Sequence, residues 1–152
     1  MIVVLLVGAG VFLGTLLCYA LATTLIIQSV VHLIRIGFTG LGFWQNVAIM
    51  IIVALLTAMA HLIQIGLWAI ALVLVGEFSS FQTAFYCSAQ NYTALGYGDI
   101  ILSERWRMLG PVEAIDGLLL FGLSTALMFA IMSWLIKHRL RVQLGRGREG
   151  TQ

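Results

Sequence analysis

Charge is what this sequence has least of. Only 9% of its 152 residues are Asp, Glu, Lys or Arg, against roughly 25% in a soluble domain. Residues 1–34 carry none, residues 36–76 carry none, and residues 117–136 carry none. A membrane-spanning helix needs about 20 mainly apolar residues, and each run is long enough. Proline occurs once, at Pro111, and no Ser-rich or Gly-rich linker divides the chain, so one compact unit is expected. The two cysteines, Cys18 and Cys87, lie in apolar segments without a CxxC pair or zinc-type spacing; they read as small buried residues. A net charge of +2 leaves no electrostatic footprint for nucleic acid. There is no Ser/His or metal-ligand constellation and no catalytic carboxylate pair at membrane depth, so an enzyme is not expected. What is present is apolar: 61% hydrophobic residues and a mean hydropathy of +1.06. The composition is that of an integral, all-α membrane protein.

Three spans follow. The first covers about residues 2–34, with His32 and Arg35 marking its emergence from the hydrocarbon. The start MIVVLLVGAG lacks a basic leader region, so this helix is expected to be retained. Gly37, Gly40 and Gly42 are expected to make a turn before FWQN, Phe43 to Asn46, opens the second helix. The third span runs from about Leu109 to Ile136. Arg35 and the five basic residues from Lys137 to Arg148 share one side, leaving Arg105 and Arg107 on the other. The positive-inside rule then places the N-terminus outside and the tail in the cytoplasm, in a plasma or inner membrane.

Residues 77–116 are unlike a surface loop. Phe78 to Ala94, FSSFQTAFYCSAQNYTA, is apolar enough to be helical at membrane depth and too short to cross and return. Ser79 or Ser80 is the expected cap, with Gln82 in the first turn. Non-helical backbone at that depth is tolerated only when buried in protein or lining a water-filled cavity. The outline is a re-entrant helix followed by a loop.

That loop reads TALGYGDI, Thr93 to Ile100. With its flanking helices it resembles the potassium-channel pore family, whose signature T-V-G-Y-G-D stands here as A-L-G-Y-G-D at Ala94 to Asp99. The resemblance covers roughly residues 45–136. It implies a pore domain over 43–136: outer helix 43–76, pore helix 78–93, filter 94–99 and inner helix 109–136. Residues 1–36 then form an additional N-terminal helix and 137–152 a short basic tail. It further implies a homotetramer that passes dehydrated K⁺, held by the backbone carbonyls of Ala94, Leu95, Gly96 and Tyr97, with no other cofactor. Gly96 and Gly98 suit such a backbone because glycine adopts left-handed conformations at little cost. Tyr97 is expected to point away from the axis and to bond a pore helix. Asp99 is expected to brace the loop against the pore helix, with Gln90 as its partner. Ala94 stands where the family has Thr, so the innermost ion site is expected to lack a ring of hydroxyls, with Thr93 the nearest substitute. The alternatives are a subunit of a K⁺ transporter, although the chain lacks the internal repeats such proteins usually carry, or a non-conducting membrane assembly partner.

Other residues leave two readings each. Glu113 and Asp116, near the start of the third span, either set a cation-attracting field at the outer mouth or brace the pore helix. Gly122 is either an inner-helix hinge or a close-packing site. Thr125 either lines the cavity or bonds back to its own helix. His61, Gln64 and Trp68 share a face of span two and are expected to form a buried hydrogen-bonded cluster, the other reading being a pH-sensing His61. No repeated Arg pattern of a voltage sensor is present.

Overall fold

The computed structural model describes residues 1–35 and 43–149, with side chains through Lys137. The glycine turn expected at Gly37, Gly40 and Gly42 lies outside the described residues. Among the described residues there are four helices: α1 (Ile2–Arg35), α2 (Phe43–Leu74), α3 (Phe81–Tyr92) and α4 (Leu109–Glu149). Three of them are long and apolar enough to cross a membrane, the exception being the 12-residue α3. Among the described residues there is no strand.

α1, α2 and α4 form an up-and-down bundle, with α3 wedged between α2 and α4 at one end. At that end Val4, Trp68, Leu72, Ala84, Tyr92, Leu109 and Leu120 share one core. It joins the start of α1, the end of α2, all of α3 and the start of α4. At the other end Ile26, Val30, Ile49, Val53, Ile131 and Leu135 make a smaller, three-helix core. Leucines 6, 13, 17, 21 and 25 of α1 stay largely exposed. An apolar face left uncovered along a whole helix is what lipid contact requires.

Several boundaries differ from those read in the sequence. α2 stops at Leu74 rather than residue 76, because Gly76 turns left-handed at φ +77°. α3 begins at Phe81 rather than 78; Ser80 is its N-cap residue, but its side chain makes no capping bond. The largest departure is α4, which continues to Glu149 instead of ending at residue 136. Hydropathy falls where the helix leaves the hydrocarbon, but the tail has no proline and keeps good helix formers such as Leu, Arg and Gln.

Candidate functional site: the end of α3 and the GYGD loop

The site begins where α3 stops. The Leu95 N–H donates to Gln90 O at 2.9 Å and the Ala94 N–H to Asn91 O at 2.9 Å. This pair of bonds is the Schellman closure of a helix, with Ala94 at the position that normally holds glycine. Ala94 has φ +55°, the one positive-φ non-glycine among the described residues. Left-handed backbone costs an L-residue about 1–2 kcal/mol, so this alanine is held against its preference. Gly96 (φ +58°) and Gly98 (φ +75°) follow. Every second residue from 94 to 98 is therefore left-handed. An added Cβ at either glycine would meet nothing within 4 Å, so conformation and not space selects glycine there.

The loop is tied to α3 through Asp99. Tyr86 Oη donates to Asp99 Oδ2 at 2.7 Å, and Gln90 Nε2 donates to Oδ1 at 2.8 Å. Tyr86 and Gln90 are four apart and so lie on one face of α3. The Tyr86 bond, followed by that of Gln90, holds the Asp99 carboxyl below the ordinary aspartate range. The same bond to Asp99 pushes the Tyr86 phenol up. Gln90 was anticipated from the sequence as the partner of Asp99; Tyr86 was not, its one signal being its place four residues before Gln90 on α3. Further along, the Ser103 hydroxyl donates to Glu77 Oε2 at 2.7 Å and the Ser103 N–H to Glu77 Oε1. That links the loop to the end of α2.

Thr93 donates its hydroxyl to Ala89 O at 2.6 Å, so it is engaged within α3. Leu95 and Tyr97 are 57% and 72% exposed in the single chain. Tyr97 makes no side-chain hydrogen bond to its own α3 among the described residues; in its place Tyr86 supplies the phenol that bonds across the loop.

Behind the loop lies a buried polar layer. Tyr92 Oη donates to Gln64 Oε1, His61 Nδ1 lies 2.9 Å from the same oxygen, and His61 Nε2 lies 3.0 Å from Ser124 Oγ. With the proton on Nδ1, the ring donates to Gln64 and accepts from Ser124, joining α2, α3 and α4. Trp68 is not in this group as expected. Its Nε1 donates to Asp116 Oδ2 at 2.8 Å, and Thr15 Oγ1 of α1 reaches that oxygen at 2.7 Å. Asn91 Nδ2 donates to Glu113 Oε2 at 3.3 Å. Glu113 and Asp116 are both fully buried; Glu113 braces α3 through Asn91, whereas Asp116 takes its bonds from α1 and α2 and not from α3.

One glycine matters that the sequence did not single out. A Cβ at Gly117 would stand 1.9 Å from Tyr92 O, so the last carbonyl of α3 rests directly on the α4 backbone. The only sequence clue is its place beside Asp116. At Gly122 an added Cβ would meet nothing within 4 Å, so close packing within the chain is not its reason. Thr125 is exposed and donates to Phe121 O at 2.9 Å.

The short helix α3, the loop with its alternating left-handed residues and the two flanking spans follow one another in a single stretch of the chain. A family model described as an ion channel matches residues 48–133, more than half of the chain. The chain belongs to this ion channel family and is a multi-pass membrane protein. α1 lies outside the matched region. Comparison with curated proteins and with solved structures gives no match.

Proposed function

We propose that the protein is a K⁺-selective channel, a homotetramer in which α3 is re-entrant and residues 94–97 of four chains supply rings of carbonyl oxygens. The observation that carries this reading is the left-handed φ at Ala94, Gly96 and Gly98. Positive φ at every second residue, 94, 96 and 98, can turn the carbonyls of successive peptide groups toward the same side of the loop. Such a backbone gives a file of oxygens that replaces the hydration shell of a cation. One loop supplies one quarter of each ring. Exposed Leu95 and Tyr97, beside an open hollow of about 470 Å³ between the loop and the start of α4, are surfaces that neighbouring copies would cover. The Asp99 brace fixes the far end of the loop, so its geometry persists when an ion leaves.

The orientation proposed from the Lys and Arg distribution puts the N-terminus and the loop on the outer side. Gly8 of α1 sits against Leu109 and Val112, which is in keeping with both ends sharing a side. Gly122 and Thr125 remain proposed as hinge and cavity lining.

The test is reconstitution of the purified protein in planar bilayers, with bi-ionic reversal potentials in K⁺ and Na⁺ and native mass measured on the same sample. A tetramer whose reversal potential follows the K⁺ gradient is the expected result. A dimer or trimer, or a reversal potential indifferent to the exchange of K⁺ for Na⁺, would overturn it.

A further inference from the structure

Far from the loop, the end of the bundle that carries Arg35 has a different chemistry. All the acidic residues except Glu149 fall between residues 77 and 116, at the loop end. His32, Arg35 and Lys137 lie at the opposite end, followed in sequence by four further arginines. Among the described residues no carboxylate stands near them.

A cleft of about 280 Å³ runs between α1 and α4 at this end. Its walls are Ile27, Val30 and Ile34 on one side and Leu127, Ala130 and Trp134 on the other, and almost nothing polar faces into it. A second hollow continues from it, sharing Ile27 and Val31 and ending at Gln28, His32 and Arg35. The trough is thus apolar toward the bilayer centre and cationic toward the surface. Its surface end holds the positive charge of Arg35, and no carboxylate among the described residues lines it.

We propose that this trough is a binding site for one anionic glycerophospholipid, its acyl chain in the α1–α4 cleft and its phosphate headgroup against Arg35 and His32, with Lys137 at the rim. A basic residue near a membrane surface attracts anionic lipid by about 1 kcal/mol, and a cleft that holds the acyl chain converts that general attraction into a defined site. The cleft needs α1 as one wall, which gives the additional helix a role the pore domain alone cannot fill. Ion conduction is not required for the binding.

Trp134 in the wall is a built-in reporter. The full-length protein is reconstituted in zwitterionic vesicles containing a small fraction of either brominated phosphatidylglycerol or brominated phosphatidylcholine. The Trp134 signal is the difference between wild type and Trp134→Phe. The expected result is quenching several-fold stronger by the brominated anionic lipid, unchanged by soluble glycerol phosphate. Arg35→Gln combined with Lys137→Gln reduces it to the phosphatidylcholine level, and Ala130→Phe, which fills the cleft, lowers quenching by both lipids. Each variant is first shown to keep the native mass of the wild type. Equal quenching of wild type by the two lipids, or a preference that survives the double charge substitution, would overturn the proposal. So would competition by soluble glycerol phosphate, because the acyl chain would then contribute nothing.

Discussion

α2 and α3 end in the same hydrogen-bonded closure, and the two ends could hardly be treated more differently. At α2 the Gly76 N–H bonds Val73 O and the Glu77 N–H bonds Leu72 O, both at 3.0 Å. The left-handed residue is Gly76, with open space around it. At α3 the same two bonds form around Ala94, which has a Cβ. Gly117 presses on the carbonyl of Tyr92, Gln64 and His61 hold the Tyr92 hydroxyl, and Gln90 and Tyr86 grip Asp99. The first end is relaxed and needs no support. The second carries a backbone that alanine disfavours, kept in place by what surrounds it. Backbone strain of this kind persists where neighbouring structure over-determines it, typically at functional sites.

The difference can be broken most severely at Gly117. Gly117→Ala would force a methyl group to within 1.9 Å of the Tyr92 carbonyl, and neither backbone has a flexible side chain to move. We expect a loss of about 3 kcal/mol or more, read as failure to recover folded protein. Gly122→Ala, with open space around the new methyl, should fold as wild type.

Next come the glycines on the two sides of the comparison. Gly76→Ala and Gly96→Ala each place a Cβ on left-handed backbone, at about 1–2 kcal/mol per chain. Thermal midpoints in detergent should fall by similar amounts. Conduction should separate them: Gly76→Ala retains K⁺ selectivity, and Gly96→Ala loses most of its current.

The Asp99 brace has a defined pH window. A carboxyl held below its ordinary range by partners in the folded state contributes fully above the unfolded value of about 4, and that contribution is lost as pH falls through the depressed value. Tyr86 is displaced upward, so its donor is present below about pH 10 and is lost only above that. Brace-dependent conduction should accordingly be flat from about pH 5 to 9. Asp99→Asn should weaken the brace while leaving the fold intact, seen as channels that inactivate during sustained current. A titration of wild-type conductance near neutrality that vanishes in Asp99→Asn would contradict this.

The smallest effect is expected at Ala94 itself. Ala94→Gly relieves the left-handed strain but adds chain entropy to the unfolded state, two terms of about 1 kcal/mol and opposite sign. The net change should be a stabilisation of about 0.5 kcal/mol, measurable as a small rise in thermal midpoint.

How much of this was legible in the sequence depended on whether one residue type could explain a position. Charge-free runs located three spans because hydrocarbon excludes charge. Glycine at 96 and 98 pointed to left-handed backbone because glycine adopts it without strain. Ala94 gave no such signal, since its conformation comes from closing α3 and from the loop beyond. Thr15, Trp68 and Asp116 are separated by tens of residues, and only the packing of α1 brings them to one point. α4 outran the hydrophobic pattern because helical bonding needs no apolar side chains once the helix leaves lipid.

In the proposed channel the strained end of α3 becomes the first ring of the ion pathway. This is tested most directly by Ba²⁺ block from the α4-tail side, compared in one bilayer assay for Ala94→Thr and Thr93→Ala. Thr93 already spends its hydroxyl on Ala89 O, whereas residue 94 sits on the left-handed turn that opens the loop. Ala94→Thr should add a ring of hydroxyls in the proposed tetramer, change conductance and strengthen Ba²⁺ block, with a much smaller effect of Thr93→Ala. A dominant effect at Thr93, or none at either position, would contradict it.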